Sequence, residues 1–111
     1  MKTRPGKKLT VYVDETDKIH GRPIYEEIMM LCHRRGIAGV SVFRGMAGYG
    51  GQRLFHTSKI LELSSDLPVK VEAVDTDAAI TGILPEIAAI LTKGLVEISD
   101  TTVIDISGSV S

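Results

Sequence analysis

Apolar and polar residues alternate in four stretches of the chain, which is the pattern of β-strands that bury one of their two faces. The four predicted strands span residues 9–13, 37–43, 69–74 and 95–106. A polar run at residues 99–101 divides the last of them, so we expect that strand to be interrupted there.

Apolar residues recur at the spacing of an amphipathic helix in two further stretches. The first predicted helix spans Arg22–Arg34, where Pro23 suits the first turn and Gly36 suits the position after the last turn. The second follows the potential N-caps at residues 75–77. Pro85 lies inside it and predicts a kink, because proline removes one hydrogen bond and crowds the preceding turn.

The order of these elements is strand, helix, two strands, helix, strand. With right-handed connections this order gives an α+β, ferredoxin-like βαββαβ fold, an antiparallel sheet with two helices on one face. Strands 37–43 and 69–74 carry apolar residues on both sides, so we expect another copy of the chain to cover the second sheet face. The length fits a single domain, residues 1–111, with a frayed tail at residues 107–111.

The composition argues against several classes of function. The formal net charge is −1, so no overall field attracts nucleic acid or a membrane surface. Cys32 is the only cysteine, which excludes an intramolecular disulfide and fits a core position in a protein of the reducing cytoplasm. No apolar run is long enough to span a bilayer, so we expect no membrane insertion.

The longest connection, Arg44–Leu67, carries the most informative stretch of the sequence. Loops of this length are uncommon in compact domains and are usually functional or mobile. Glycines cluster at its start, where they let the backbone turn sharply and present N–H groups to an anion. The stretch lacks the Lys-Ser/Thr ending of a P-loop and opens no helix. From spacing alone, a ligand-binding turn and a flexible hairpin tip remain equally open.

The other chemically active side chains form no recognisable constellation. His20, His33 and His56 do not have metal-ligand spacing on a predicted helix face, so we expect no metal site. The acidic residues between positions 14 and 17 are interpreted as a solvated turn. Nucleophile, base and orienting group cannot be assembled from the sequence, so we expect no catalytic residue and no enzyme activity.

Several motifs resemble the PII signal-transduction proteins. Residues 36–42 (Gly-Ile-Ala-Gly-Val-Ser-Val) followed by 48–52 (Gly-Tyr-Gly-Gly-Gln) resemble the second strand and the start of the T-loop in that family. Residues 67–72 resemble the segment that returns from the T-loop. A closer resemblance, which covers nearly the whole chain, is to the PII-like DUF190 (UPF0166) family. It rests on four segments: Gly21–Tyr25, Arg44–Gly50, Asp66–Val69 and Lys93–Val96.

The resemblance implies a homotrimer that binds an adenine nucleotide (AMP, ADP or ATP) in the clefts between subunits, with no obligatory cofactor. Carried over position by position, the nucleotide contacts of PII proteins fall on a strand group, Ser41, Glu72 and Val74, and on Gly50 and Gln52 of the glycine-rich turn. Gly48 belongs to the same turn and Tyr49 is a further candidate there, so the turn group is Gly48, Tyr49, Gly50 and Gln52. The cations near this turn that would meet the phosphates are Arg44, Arg53 and Lys59.

Two departures from the PII pattern limit what is carried over. PII proteins have a glycine-rich turn with a phosphate-binding lysine before the last strand, and we place that turn at residues 97–102. This segment lacks lysine and contains Glu97 and Asp100, whose carboxylates repel a γ-phosphate. We therefore expect AMP or ADP to be favoured over ATP unless magnesium bridges the carboxylates. The middle of the long loop also lacks a tyrosine, so control by uridylylation is not expected.

Three functions stand as hypotheses. The resemblance favours a nucleotide-sensing regulator whose mobile long loop contacts a partner protein, such as a transporter. The alternative is a metal-handling or structural trimer of the divalent-ion tolerance type, against which the scattered histidines argue. The third is a small enzyme with a site between subunits, against which the missing catalytic constellation argues.

Overall fold

The computed structural model describes residues 1–48, 56–57 and 67–107. The elements follow one another in this order: β1 Lys2–Asp14, β2 Lys18–Ile19, β3 Arg22–Pro23, α1 Ile24–Arg34, β4 Gly39–Arg44, β5 Ala47–Gly48, β6 His56–Thr57, β7 Pro68–Asp75, α2 Asp77–Ile90 and β8 Leu95–Asp105.

The four longer strands form one antiparallel sheet in the order β4-β7-β1-β8. Strands that follow one another around each helix are therefore not neighbours in the sheet, as the ferredoxin-like βαββαβ topology requires. The short strands pair separately, β2 with β3 and β5 with β6. The predicted fold class is confirmed.

The hydrophobic core lies between one face of the sheet and the two helices. Alternate residues of β1 and β7 point toward the helices because successive side chains of a strand face opposite ways. Burying each large aliphatic side chain is worth about 1.5–3 kcal/mol, so this layer holds the helices on the sheet. Its members are Leu9, Val11, Val13, Val69, Val71 and Ala73 on the strands, and Ile24, Ile28, Leu31, Cys32, Ile80, Ile83 and Ile87 on the helices.

The helix ends follow local chemistry. Gly36 has a φ of +70°, and its N–H donates to the carbonyl of His33 at 3.1 Å while Ile37 donates to Cys32 at 3.0 Å. This is a Schellman closure of α1, with Gly36 at the position that the sequence predicts. Helix α1 begins two residues later than predicted. Helix α2 is capped at its start by the Thr76 hydroxyl, which accepts a hydrogen bond from the N–H of Ala79 at 3.1 Å.

Two strands depart from the predictions. Strand β1 was expected only over residues 9–13, but it begins at Lys2. Strand β8 was expected to break at residues 99–101, but it is continuous from Leu95 to Asp105. Both differences have one cause, since residues 2–8 pair with residues 99–105. These partners are mostly polar, so their pairing leaves no alternating hydrophobic pattern in the sequence.

The outer face of the sheet, opposite the helices, is less apolar than predicted. One row across it consists of Phe43, Lys70, Tyr12 and Leu95, of which Leu95 is 60% exposed and Phe43 48%. The next row is polar, because Thr10, Ser41, Glu72 and Glu97 occupy it. The outer face therefore combines an apolar row near the start of the long loop with a polar row beside it.

Two glycines give opposite predictions for stability. Gly94 has a φ of +122°, and an added Cβ would lie 2.6 Å from the Tyr12 carbonyl oxygen, so Gly94→Ala should destabilise the fold by about 1–3 kcal/mol. Gly82 is in α2 and a Cβ there meets nothing within 4 Å, so Gly82→Ala should stabilise it by roughly 0.5–1 kcal/mol. Urea denaturation at one fixed protein concentration measures both changes. Two changes of the same sign would contradict this account of the backbone.

Candidate functional site

The start of the long loop passes tightly against Pro68. The N–H of Gly45 donates to the Pro68 carbonyl at 2.7 Å. An added Cβ would lie 2.8 Å from Pro68 Cγ at Gly45 and 3.2 Å from it at Gly48. Only residues without a side chain fit this approach comfortably. The glycines that suggested a ligand-binding turn thus also have a structural role, which is to bring the chain past the beginning of β7.

The acidic turn after β1 is partly exposed and also forms ion pairs with two cations, which the sequence did not predict. The guanidinium of Arg44 forms an ion pair with the Glu15 carboxylate. The ammonium of Lys93 lies 3.5 Å from Asp14 Oδ2 and 3.3 Å from Asp17 Oδ1. The hydrogen bond to Asp17 raises the pKa of Lys93. Four elements therefore meet in this cluster: the ends of β1 and β4, and the turns that follow β1 and α2.

Lys93 is a functional candidate that the sequence analysis missed. Helix α2 ends at Ile90 and β8 begins at Leu95, so residues 91–94 form the turn before the last strand. The predicted position of that turn, residues 97–102, lies within β8. The statement that a lysine is missing before the last strand is therefore wrong. The Lys-Gly pair just ahead of the alternating pattern was the available signal, since glycine commonly marks a turn.

The predicted strand contacts lie together on the outer face. Ser41 and Glu72 are register partners on β4 and β7. The Glu72 carboxylate accepts a 2.9 Å contact from Lys70 Nζ and lies 3.5 Å from Lys8 Nζ. The Lys70 ammonium is also 5.0 Å from the centre of the Phe43 ring, which is within cation–π range. Hydrogen bonding to Lys70 lowers the pKa of the Glu72 carboxyl, so it is a fixed, ionised hydrogen-bond acceptor.

A polar cavity of about 250 Å³ adjoins Glu72 on the outer face. Thr10 is 4% exposed and lies in its wall. The Tyr12 hydroxyl donates to Glu97 Oε1 at 3.0 Å, and this hydrogen bond raises the pKa of Tyr12. The charges around the cavity alternate in sign, with Lys8 and Lys70 against Glu72 and Glu97. Such a lining suits a ligand with several hydrogen-bonding groups better than a simple anion.

Of the turn group, the structure describes only Gly48, and of the proposed phosphate-binding cations it describes only Arg44. Ser41 and Arg44 are three residues apart along β4, so their Cα atoms are separated by roughly 10 Å. An odd spacing also directs their side chains to opposite faces of the sheet. Val74 lies six residues beyond Pro68, or roughly 20 Å along β7. Within one protomer, the side chain of Arg44 therefore lies on the opposite face of the sheet from Ser41 and Glu72.

The remaining candidates lie outside the described residues. They are Tyr49, Gly50, Gln52, Arg53 and Lys59, together with most of the long loop and the tail residues 108–111. Among the residues that the structure describes, no group of three or more His, Cys, Asp or Glu side chains could hold a metal ion. None of the helices in that part of the chain is long and apolar enough to cross a membrane.

Sequence comparison assigns the family. Residues 6–103 match the model of DUF190, described as "Uncharacterized ACR, COG1993". The chain belongs to the DUF190 family. It is 34% identical over 104 residues to a UPF0166 protein of Aquifex aeolicus, which covers 94% of this chain and 98% of the relative. It is 37% identical over 96 residues to UPF0166 protein MJ1524 of Methanocaldococcus jannaschii, covering 86% and 88%.

Solved structures place this DUF190 chain among the PII-like folds. The nitrogen regulatory PII-like protein CPII from Thiomonas intermedia K12, bound to ADP, AMP and bicarbonate, superposes with a TM-score of 0.66 at 17% identity. The match covers 93% of this chain and 99% of CPII. A PII-like signalling protein from Thermus thermophilus gives a TM-score of 0.65 at 13% identity, covering 94% of each chain. At these identities the likeness shows the fold.

The contacts of Glu72 predict a specific titration. Lys70→Met should raise the pKa of the Glu72 carboxyl toward its ordinary value, because the closest cation is removed. Lys8→Met should raise it less, since Lys8 Nζ is farther away. The stabilisation by this pair is present above the ordinary glutamate pKa and is lost as pH falls through the lowered value. Carboxyl-carbon NMR titration measures the pKa, and an unchanged value in Lys70→Met would exclude this pairing.

Proposed function

We propose that this protein is a PII-like regulator that binds an adenine nucleotide in the clefts between the subunits of a homotrimer. The carrying observation is that the side chain of Arg44 lies on the opposite face of the sheet from Ser41 and Glu72 within one protomer. Two neighbouring copies can supply one of these two faces each to a shared cleft. The solved PII-like structure with ADP and AMP supports the same kind of ligand.

In the proposed cleft, Ser41, Glu72 and Val74 of one copy face the adenosine. The Glu72 carboxylate, kept ionised by Lys70, accepts hydrogen bonds from amino or hydroxyl groups of the ligand. The glycine turn that starts at Gly48 of the next copy presents backbone N–H groups to the phosphates. Arg44 lies beside that turn and supplies positive charge, and Arg53 and Lys59 are proposed as further cations. The bound nucleotide makes hydrogen bonds and ionic contacts with these residues and undergoes no covalent step.

AMP or ADP remains the proposed preference over ATP, but for a reason that differs from the sequence argument. A lysine is present before the last strand, yet Lys93 already faces the carboxylates of Asp14 and Asp17. A γ-phosphate reaching it would meet their negative charge as well. Magnesium would lessen that repulsion, so we propose it as an aid to ATP binding and not as an obligatory cofactor.

The proposed role in the cell is to transmit nucleotide levels to a partner protein. The long loop between β4 and β7 is the proposed contact, and a transporter is one candidate partner. Cys32 is fully buried and burial raises the pKa of its thiol, so it is an unreactive core residue. A single cysteine of this kind fits our proposal of a cytoplasmic, non-enzymatic protein.

The proposed trimer depends on the apolar row of the outer face. Sedimentation should give three protomers per particle at micromolar concentration. Leu95→Glu should shift the protein to smaller species. Leu95 is 60% exposed in one chain, and a neighbouring copy that covers this position would bury the unpaired carboxylate of the glutamate. Met29→Glu, on an exposed position of α1, should leave the mass unchanged. A monomeric parent protein, or a trimeric Leu95→Glu, would contradict this part of the proposal.

Mixed trimers test whether each cleft is shared. Calorimetry should show AMP and ADP binding to the parent protein and weakened binding to Gly48→Val and to Glu72→Ala. One lost charge-assisted hydrogen bond, worth about 1.5–3 kcal/mol, corresponds to tenfold weaker binding or more. When the two variants are refolded together, each mixed trimer should contain a cleft with both residues intact. Tight binding should then return in the mixed sample.

The same experiment distinguishes an error in the shared cleft from an error in the proposed ligand. Glu72→Ala and Gly48→Val refolded separately are the controls, and neither should recover binding. If mixed trimers form but stay as weak as the separate variants, both groups belong to one protomer and the shared cleft is wrong. If the parent protein binds neither AMP, ADP nor ATP, the proposed ligand itself is wrong.

A further inference from the structure

Both edges of the four-stranded sheet are open in one protomer. Strands β4 and β8 lie at its two ends, and among the residues that the structure describes neither has a partner on its outward side. The open edge of β8 is 11 residues long and that of β4 is 6 residues long. Unpaired N–H and C=O groups along an edge favour pairing with another strand. The two edges are therefore surfaces at which copies of the chain can join.

The directions of the two edge strands permit such a join. β4 is antiparallel to β7, β7 is antiparallel to β1, and β1 is antiparallel to β8. β4 therefore runs opposite to β8 within one sheet. A second copy placed beside β8 in the same orientation brings its own β4 into antiparallel pairing. The sheet then continues from one copy to the next, with the helices of both copies on the same side.

The rows of side chains on the outer face fix the register of this pairing. The apolar row ends in Phe43 on β4 and in Leu95 on β8, which are 48% and 60% exposed. The polar row beside it ends in Ser41 and Glu97. When both rows continue into the next copy, Leu95 lies opposite Phe43 of that copy. Glu97 then lies opposite its Ser41, so each row meets a residue of its own kind.

The same register also matches the side chains on the helix side of the sheet. It places Val96 opposite Val42 of the next copy. It places Ile98, which is 41% exposed in one chain, opposite Val40. A groove of about 560 Å³ lies beside β8 on this side, and the two valines of an added β4 would cover it. Most of its lining is apolar: Leu84, Ala88, Leu91, Val96 and Ile98, with residues 92–94 at one end.

We propose that β8 of one copy pairs with β4 of the next, with residue 97 opposite residue 41, and that three copies close into a ring in this way. The inference rests on the homotrimer of the proposed function and names the strands that join it. A shift of one residue in either direction would set Glu97 opposite a valine of β4, so the side chains specify this register. Head-to-tail contacts of this kind give a ring when the rotation closes.

The pairing also brings residues of two copies together at each junction. In this register Arg44 of one copy adjoins Gly94 of the next. Arg44 ends β4 where the long loop begins, and Gly94 precedes β8 in the turn that holds Lys93. Each junction therefore receives one cation from each copy, and neither copy completes it alone.

Paired cysteines test the register in the full chain. Ser41→Cys/Glu97→Cys should oxidise to covalent dimers and trimers on a non-reducing gel, because opposite residues of antiparallel strands have Cα atoms about 4.5–5.5 Å apart, a disulfide distance. Within one copy the two positions are three strands apart, roughly 14 Å, which is too far. Cys32 is buried and does not compete. Val40→Cys/Ile98→Cys tests the helix side and should give the same products.

Ser41→Cys/Ser99→Cys is the matched control, since it uses the same two strands two residues out of register. It should cross-link far less, because diagonal neighbours lie about 7–8 Å apart. Equal cross-linking of this control, or a trimer in which neither designed pair reacts, would overturn the pairing while the homotrimer still stood. Covalent products of more than three copies would overturn the closed ring. A monomeric parent protein in sedimentation would overturn the homotrimer and this inference together.

Discussion

The structure depends on the pairing of β1 with a strand on each side. Residues 7–14 pair with β7 and residues 2–12 pair with β8, so β1 joins the two halves of the chain. Its inward side chains, Leu9, Val11 and Val13, are at most 5% exposed and lie under the helices. A one-residue slip would turn these side chains outward and bury Lys8 and Tyr12 instead. The register is therefore fixed by the core, and it determines which residues meet at the two ends of β1.

The sequence predicted the parts of the fold that hydrophobic patterning controls. The two helices, the order of the elements and the cap at Gly36 all leave signals in which apolar spacing or glycine chemistry decides the structure. The first part of β1 left no such signal, because Lys2, Arg4 and Lys7 pair with residues of β8 through the backbone. Backbone pairing between distant segments is invisible to local patterning when both segments are polar.

The candidate site could also be predicted only in part from the sequence. The resemblance pointed to Ser41 and Glu72, and the structure makes them register partners. It could not show that Lys8 flanks Glu72, because strand register decides that contact. Lys70 is two residues from Glu72 on the same strand, so the alternation of side chains already places both on one face. The position of Lys93 is hidden for a related reason: the polar segment 97–102 has the composition of a turn, although it is paired in β8. The ion pairs of the acidic turn need the register of three strands and could not be inferred from spacing.

In the proposed function, the ion pairs that Arg44 and Lys93 form with the acidic turn would also link the ligand to the long loop. Arg44 is the last residue of β4, so its pairing with Glu15 ties the start of the loop to the end of β1. A phosphate that takes Arg44 away from Glu15 removes this tie. A ligand can shift such an equilibrium only by its difference in affinity for the two states. One exposed ion pair is worth about 0–1 kcal/mol, whereas coupling between sites is typically about 1–3 kcal/mol. Replacing the Arg44–Glu15 ion pair by a phosphate contact would therefore supply little coupling free energy between the ligand and the loop. Replacing the ion pairs of both Arg44 and Lys93 comes closer to the typical coupling free energy.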